Sequence, residues 1–232
     1  MTLTKKNDRR TVVRTMVTVA VFCAVAYVCQ FVFRIRVFGF LTFDAKDAFM
    51  AVGAMIFGPF WGIMMALLLA TLESISIGTT GVIGWIMDFF SSASFVFVAA
   101  LIYRYRRTMV GAIIALATAV LSATATMIVL NLFLTPLYMS GATMQSVAAM
   151  IPTVLLPFNL TKALLNAGLV LVLYKPISTA LKHAKLVKGE VGTLRFDRKS
   201  VMMLILGLVV IATCIIAFLF FMNGSFEWGK TE

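Results

Sequence analysis

The 232-residue chain is 62% hydrophobic and only 12% charged, with a mean hydropathy of +1.03. Soluble domains run at about 45–50% apolar and about 25% charged. The excess here is gathered into long runs, which excludes a water-soluble globular domain and predicts an all-α integral membrane protein. The net charge of +11 does not indicate nucleic-acid binding, because the basic residues lie in short blocks between apolar runs and form no continuous patch with interleaved aromatics.

In chain order, the first apolar run is Val12–Phe33, and the N-terminal tail at its start carries Lys5, Lys6, Arg9, Arg10 and Arg14. Ala24-Val25-Ala26 imitates a signal-peptide cleavage site, but the run continues to Phe33 with no soluble domain behind it, so a first membrane helix is expected. Further runs are Ala48–Leu72, Val82–Tyr103, Met109–Leu134, Val154–Tyr174 and Val201–Met222. Cys23, Cys29 and Cys214 fall inside runs without metal spacing and read as small apolar side chains.

Six runs do not give six crossings. The N-terminal tail, Arg104–Arg107 and Lys175–Lys199 hold 15 of the 20 basic residues and should all be cytoplasmic. One crossing per run puts Arg104–Arg107 outside. The conflict disappears if Ala48–Leu72 crosses twice, reversing at Gly58-Pro59, where proline removes a donor and glycine favours a turn. The halves would be Asp47–Phe57 and Phe60–Ser74, the first too short to span a bilayer alone. Seven helices result, with a cytoplasmic N-terminus and an external C-terminus. Outward segments would be Arg34–Lys46, Ile75–Gly81 and Thr135–Thr153, the last carrying Pro136 and Pro152, and they could cover a pocket. The expected division is a six-helix membrane domain at 1–180, a basic cytoplasmic linker at 181–199, an added transmembrane helix at 200–222 and a short tail at 223–232.

Ionisable and amide side chains at membrane depth point to function. Asn159 and Lys162 are three apart and share a helical face, with Asn166 one turn on. The plain alternative is a lysine snorkelling to the interface. Asn131 could grip a ligand or serve as glue between helices. Trp85 could stack on a flat ring or belong to an interfacial belt, and Asp88 lies three residues on. Glu73 reads as a solvated helix end. Within the cluster Asp44-Ala45-Lys46-Asp47, Asp47 is expected to cap the following helix. Ala20 and Ala24 have the small-xxx-small spacing of close helix contacts.

Catalytic signatures are absent: there is no Walker A loop, H-E-x-x-H or G-x-S-x-G motif. The single histidine, His183, falls in the basic linker. No catalytic residue, metal site or cofactor is expected, and any ATP-driven transport would draw energy from another subunit.

Three segments carry a family resemblance: Phe40-Leu41-Thr42-Phe43-Asp44-Ala45-Lys46-Asp47 followed by Phe57-Gly58-Pro59; Asn131-Leu132-Phe133-Leu134-Thr135-Pro136-Leu137-Tyr138; and Pro157-Phe158-Asn159-Leu160-Thr161-Lys162. In this order and spacing the chain resembles the substrate-binding S components of energy-coupling factor (ECF) vitamin transporters, of the riboflavin type, over about residues 10–180. The resemblance implies a six-helix bundle, here extended by a C-terminal transmembrane helix, in a bacterial cell membrane. It implies that Asn131, Asn159 and Lys162 hydrogen-bond the flavin while Leu41 packs over it. It also implies that Ala20 and Ala24 meet the transmembrane T subunit of a complex completed by two ATPase subunits. Asp88 departs from the family, where an uncharged amide is expected, which leaves a related flavin or another vitamin open. Two other readings remain: a stand-alone secondary transporter, for which no repeat and only Asp88 as a relay can be offered, and an intramembrane enzyme or assembly factor, for which no catalytic constellation is present.

Overall fold

The computed structural model describes residues 2–38, 41–78, 81–139, 141–187 and 198–221. Helix α1 (Thr2–Val32) buries Thr18, Val19, Phe22, Cys23, Ala26 and Gln30, a three-and-four spacing that defines one inward face. Val13, Val17, Val21 and Val28 point outward, exposed. Apolar side chains on the outside of a bundle suit a lipid surround.

The segment after α1 contains a small antiparallel hairpin, β1 (Ile35–Phe38) and β2 (Leu41–Phe43), in which Ile35 faces Phe43 and Arg36 faces Thr42. This is the one departure from an all-helical fold among the described residues. Helix α2 (Lys46–Phe57) follows and is buried along nearly its whole length. Its twelve residues reach about 18 Å, short of a hydrocarbon core of about 30 Å. Ala48, Ala51, Gly53 and Ala54 let its neighbours α1, α3, α4 and α7 approach closely.

Gly58 ends α2 with φ 112° and ψ 163°, a backbone region open essentially to glycine alone. Pro59 opens α3 (Pro59–Ser76) at its first turn, where its missing N–H costs nothing. The chain then folds back on itself. A Cβ on Gly53 would lie 3.0 Å from the Met65 methyl, and one on Gly62 would lie 2.8 Å from the Ala54 Cβ. The reversal expected at Gly58-Pro59 is therefore present, and α2 is too short to count as a span alone.

Helices α4 (Gly81–Tyr105) and α5 (Met109–Tyr138) meet at a short turn, where the Thr108 hydroxyl accepts from the Gly111 amide at 3.0 Å. Ser94 and Ser122 hydrogen-bond across them at 2.8 Å, and Thr126 donates to Ser94 at 3.1 Å, polar glue in an apolar setting.

Beyond α5 the expected outward loop Thr135–Thr153 is mostly helical. Helix α5 runs through Pro136 to Tyr138, and α6 (Met144–Met150) starts in a capping box between Thr143 and Ser146. A π-helical turn (Ile151–Leu155) then leads directly into α7 (Leu156–His183). The two prolines are poor loop markers here, since each stands within helical backbone at the cost of a ladder bond. Pro136 lies in the last turn of α5, and at Pro152 the α-helical ladder gives way to the wider π turn. The continuous stretch Met144–His183 is 40 residues long, about twice what a crossing needs.

The last helix, α8 (Arg198–Phe221), lies along α7. A Cβ on Gly207 would stand 2.8 Å from the Gly168 carbonyl oxygen, and one on Gly168 would stand 2.9 Å from Ile211 Cγ1. Only glycine at both positions permits this approach. Among the described residues, six helical stretches are long and apolar enough to cross a membrane: Val12–Val32, Pro59–Ser76, Gly81–Tyr105, Met109–Tyr138, Met144–His183 and Ser200–Ala217. With α2 interposed they form a multi-pass membrane bundle.

Candidate ligand pocket

At the end of the bundle bearing the hairpin, the end of α3, the start of α4, the end of α5 and the start of α7 converge. They line a cavity of about 140 Å³ that is open at its mouth. Five of the residues singled out in the sequence, Trp85, Asp88, Asn131, Asn159 and Lys162, line this one cavity, with Phe158 and Tyr138 beside them. Leu41 belongs to β2, but its side chain, like Phe40, lies outside the described residues.

The flat surfaces are set by local packing. The Trp85 ring runs nearly parallel to Phe89 (12°, centroids 6.0 Å apart), and its indole N–H donates to Thr71 on α3 at 3.1 Å. Phe158 is held edge-on by Phe43 of the hairpin at 4.9 Å. The two asparagines are buried, Asn131 completely. Each turns its amide NH₂ to its own helix, Asn131 to the Met127 carbonyl at 2.8 Å and Asn159 to the Leu155 carbonyl at 2.7 Å. The Asn131 amide oxygen accepts from Thr135 at 3.0 Å.

Charged groups around the cavity are paired. Lys162 Nζ donates to Asp44 Oδ2 at 2.7 Å, so this lysine does not snorkel away to the interface. Burial alone would raise the Asp44 carboxyl; the ammonium groups of Lys162 and Lys46 hold it below its ordinary value of 3.8. Asn166 stands behind this pair. Its amide oxygen accepts from the Ala48 N–H at 2.9 Å, and its NH₂ donates to the Asp44 carbonyl at 3.2 Å. It thereby caps α2 from another helix, a task that occupies the amide and removes it from the ligand face.

Two expectations are corrected here. Asp47 does not cap α2, because the cap position falls on Ala45, which makes no side-chain cap bond. Asp47 lies in the first turn, buried, and accepts from the Ser92 hydroxyl on α4 at 2.6 Å. Glu73 is not a solvated helix end: its carboxylate forms an ion pair with Lys46, and Arg34 approaches at 3.9 Å.

Lys46 is the functional-looking residue that sequence reasoning passed over. It is wholly buried and donates to Glu73 and, at 2.5 Å, to Asp88. The signal for it was present. A lysine heading a buried helix cannot remain unpaired in an apolar interior, and the acids able to reach it lie on α3 and α4. Ala20 and Ala24 lie on the outward face of α1, exposed.

Comparison with known proteins places the chain in a family. The family described as ECF transporter, substrate-specific component, matches residues 14–174. The riboflavin transporter RibU of Staphylococcus aureus (strain TCH60) is 29% identical over 176 residues, which span 72% of this chain and 92% of that protein. A solved structure described as "Structure and mechanism of the S component of a bacterial ECF transporter" superposes with a TM-score of 0.60 at 27% identity, covering 72% of this chain and 97% of that chain. The family match takes in every helix that walls the cavity and stops short of α8. With its helical bundle, its α2–α3 reversal and a match over more than half its length, the chain belongs to the substrate-specific components of ECF transporters, non-enzymatic membrane subunits of a transport system.

Proposed function

We propose that the chain captures riboflavin at the outer face of a bacterial membrane for ATP-driven import. The observation that carries this reading is the convergence of Trp85, Asn131, Asn159 and Lys162 on one cavity. Riboflavin is a flat, largely apolar ring with polar edges and a hydroxylated tail. Aromatic surfaces such as Trp85 and Phe158 suit the ring, and a few convergent polar groups suit its edges. Asn131 and Asn159 would exchange their local bonds for ligand bonds, Lys162 would offer donors to ring carbonyls, and Leu41 would close over the site from the hairpin.

In this proposal the pocket domain is 1–180, the basic linker at 181–199 is cytoplasmic, the helix at 200–222 is an appended anchor and the tail at 223–232 is external. Energy would come from two ATPase subunits through a transmembrane T subunit docked at Ala20 and Ala24 on the exposed face of α1. The test is the visible absorption spectrum of protein purified in detergent. A flavin band, carried through purification or acquired on adding riboflavin, is expected. A colourless protein that takes up no added riboflavin would overturn the reading.

A further inference from the structure

The cavity has a surplus of acceptors on one wall. Glu73 and Asp88 both line it, whereas Lys46, which holds them, does not. Lys46 sits behind the wall and engages Glu73 Oε2 and Asp88 Oδ1. Each carboxylate therefore keeps one oxygen to spare. Among the described residues, Glu73 Oε1 meets Arg34 at 3.9 Å, beyond hydrogen-bond reach. Asp88 Oδ2 is buried without a hydrogen-bond partner among the described residues. Buried polar atoms without partners are uncommon and call for a reason. Three strong donors of the wall point elsewhere: both asparagine NH₂ groups are turned into their own helices and Lys162 is engaged by Asp44.

We propose that the Glu73–Asp88 pair, braced from behind by Lys46, is the acceptor face of the pocket and reads the hydroxyl groups of a polyol on the ligand. The inference rests on the riboflavin reading above and deepens it. The flavin ring offers a single N–H, so satisfying two separate carboxylate oxygens requires at least one hydroxyl of the tail. Bracing matters because a carboxylate fixed through one oxygen presents the other at a defined point, without the reorganisation that a free side chain would need. A ligand with the same ring and no hydroxylated tail would leave these acceptors unmet.

The test compares riboflavin with lumiflavin, which keeps the ring and its N–H but carries a methyl in place of the tail. Binding of both is measured by flavin fluorescence to the wild type, Asp88→Asn and Glu73→Gln, with thermal melting as the check on folding. Asp88→Asn retains a carbonyl for Lys46 and can turn NH₂ toward the ligand; Glu73→Gln supplies the test should the first variant fold poorly. The expected result is a loss of about ten- to hundredfold for riboflavin with lumiflavin affinity unchanged. Equal losses for both ligands, or full riboflavin affinity in both variants, would overturn the proposal. A wild type that binds neither flavin would instead overturn the riboflavin reading on which it rests.

Discussion

Lys162 on α7 donates to Asp44 at 2.7 Å, tying the helix that carries Asn159 to the segment that leads from the hairpin into α2. The bond joins positions 118 residues apart, and it stands against the pocket wall. Because Asp44 is almost wholly buried, removing the lysine leaves a carboxylate without its partner, a severe change in an apolar interior. Lys162→Ala is expected to weaken riboflavin binding about ten- to hundredfold and to lower the melting temperature. Asp44→Asn, which keeps an acceptor and removes the charge, should melt higher than Lys162→Ala. A Lys162→Ala protein that bound and melted like the wild type would contradict this role.

The same pair sets a pH dependence. The folded-state value of Asp44 lies below the ordinary 3.8, so its contribution to stability is complete above that pH and is lost as pH falls through the folded value. Melting temperature should therefore decline on acidification below about pH 4, and the decline should be shallower in Asp44→Asn. Equal slopes in the two proteins would remove Asp44 from the account.

Asn166 is expected to act through structure. Asn166→Ala deletes the acceptor for the Ala48 N–H and the donor to the Asp44 carbonyl. A destabilisation of about 1–3 kcal/mol follows from leaving buried backbone groups unpaired. Chemical or thermal unfolding in detergent measures it, and Asn166→Asp, which keeps the acceptor alone, should recover part of the loss.

Gly58 tests the doubled crossing. At φ 112° and ψ 163° any side chain is strained, although a Cβ there would meet no neighbour within 4 Å. Gly58→Ala should therefore cost about 1–3 kcal/mol through the backbone alone. A neutral effect on the melting temperature would mean that the α2–α3 reversal adopts another conformation.

Much of this molecule is legible in its sequence, for identifiable reasons. Charge placement pointed to a reversal near Gly58-Pro59, and the chain does turn back there between α2 and α3. Asn159 and Lys162 were legible because their spacing shares a helical face. The hairpin at Ile35–Phe43 was not, since four- and three-residue strands leave too little periodicity. Pro136 and Pro152 looked like loop punctuation, and only the π turn and the helix-end placement explain how helices pass through them. The pairings of Lys46 with Glu73 and Asp88, 27 and 42 residues away, depend on which helices become neighbours, and no local pattern reveals that.

Helix α8 provides a separate test of where the binding unit ends. It touches α7 through Gly168 and Gly207, whereas the cavity is walled by residues that all precede it. A chain ending after residue 187 should bind riboflavin within about a factor of three of the full chain, roughly 0.6 kcal/mol. A much larger loss would make α8 part of the binding unit.

The most direct measurement of the central claim is a titration of riboflavin fluorescence with the full chain in detergent, without ATP or any partner subunit. The account predicts saturable quenching at one flavin per chain, abolished or strongly weakened by Lys162→Ala. A folded wild-type protein that leaves the fluorescence unchanged would contradict it.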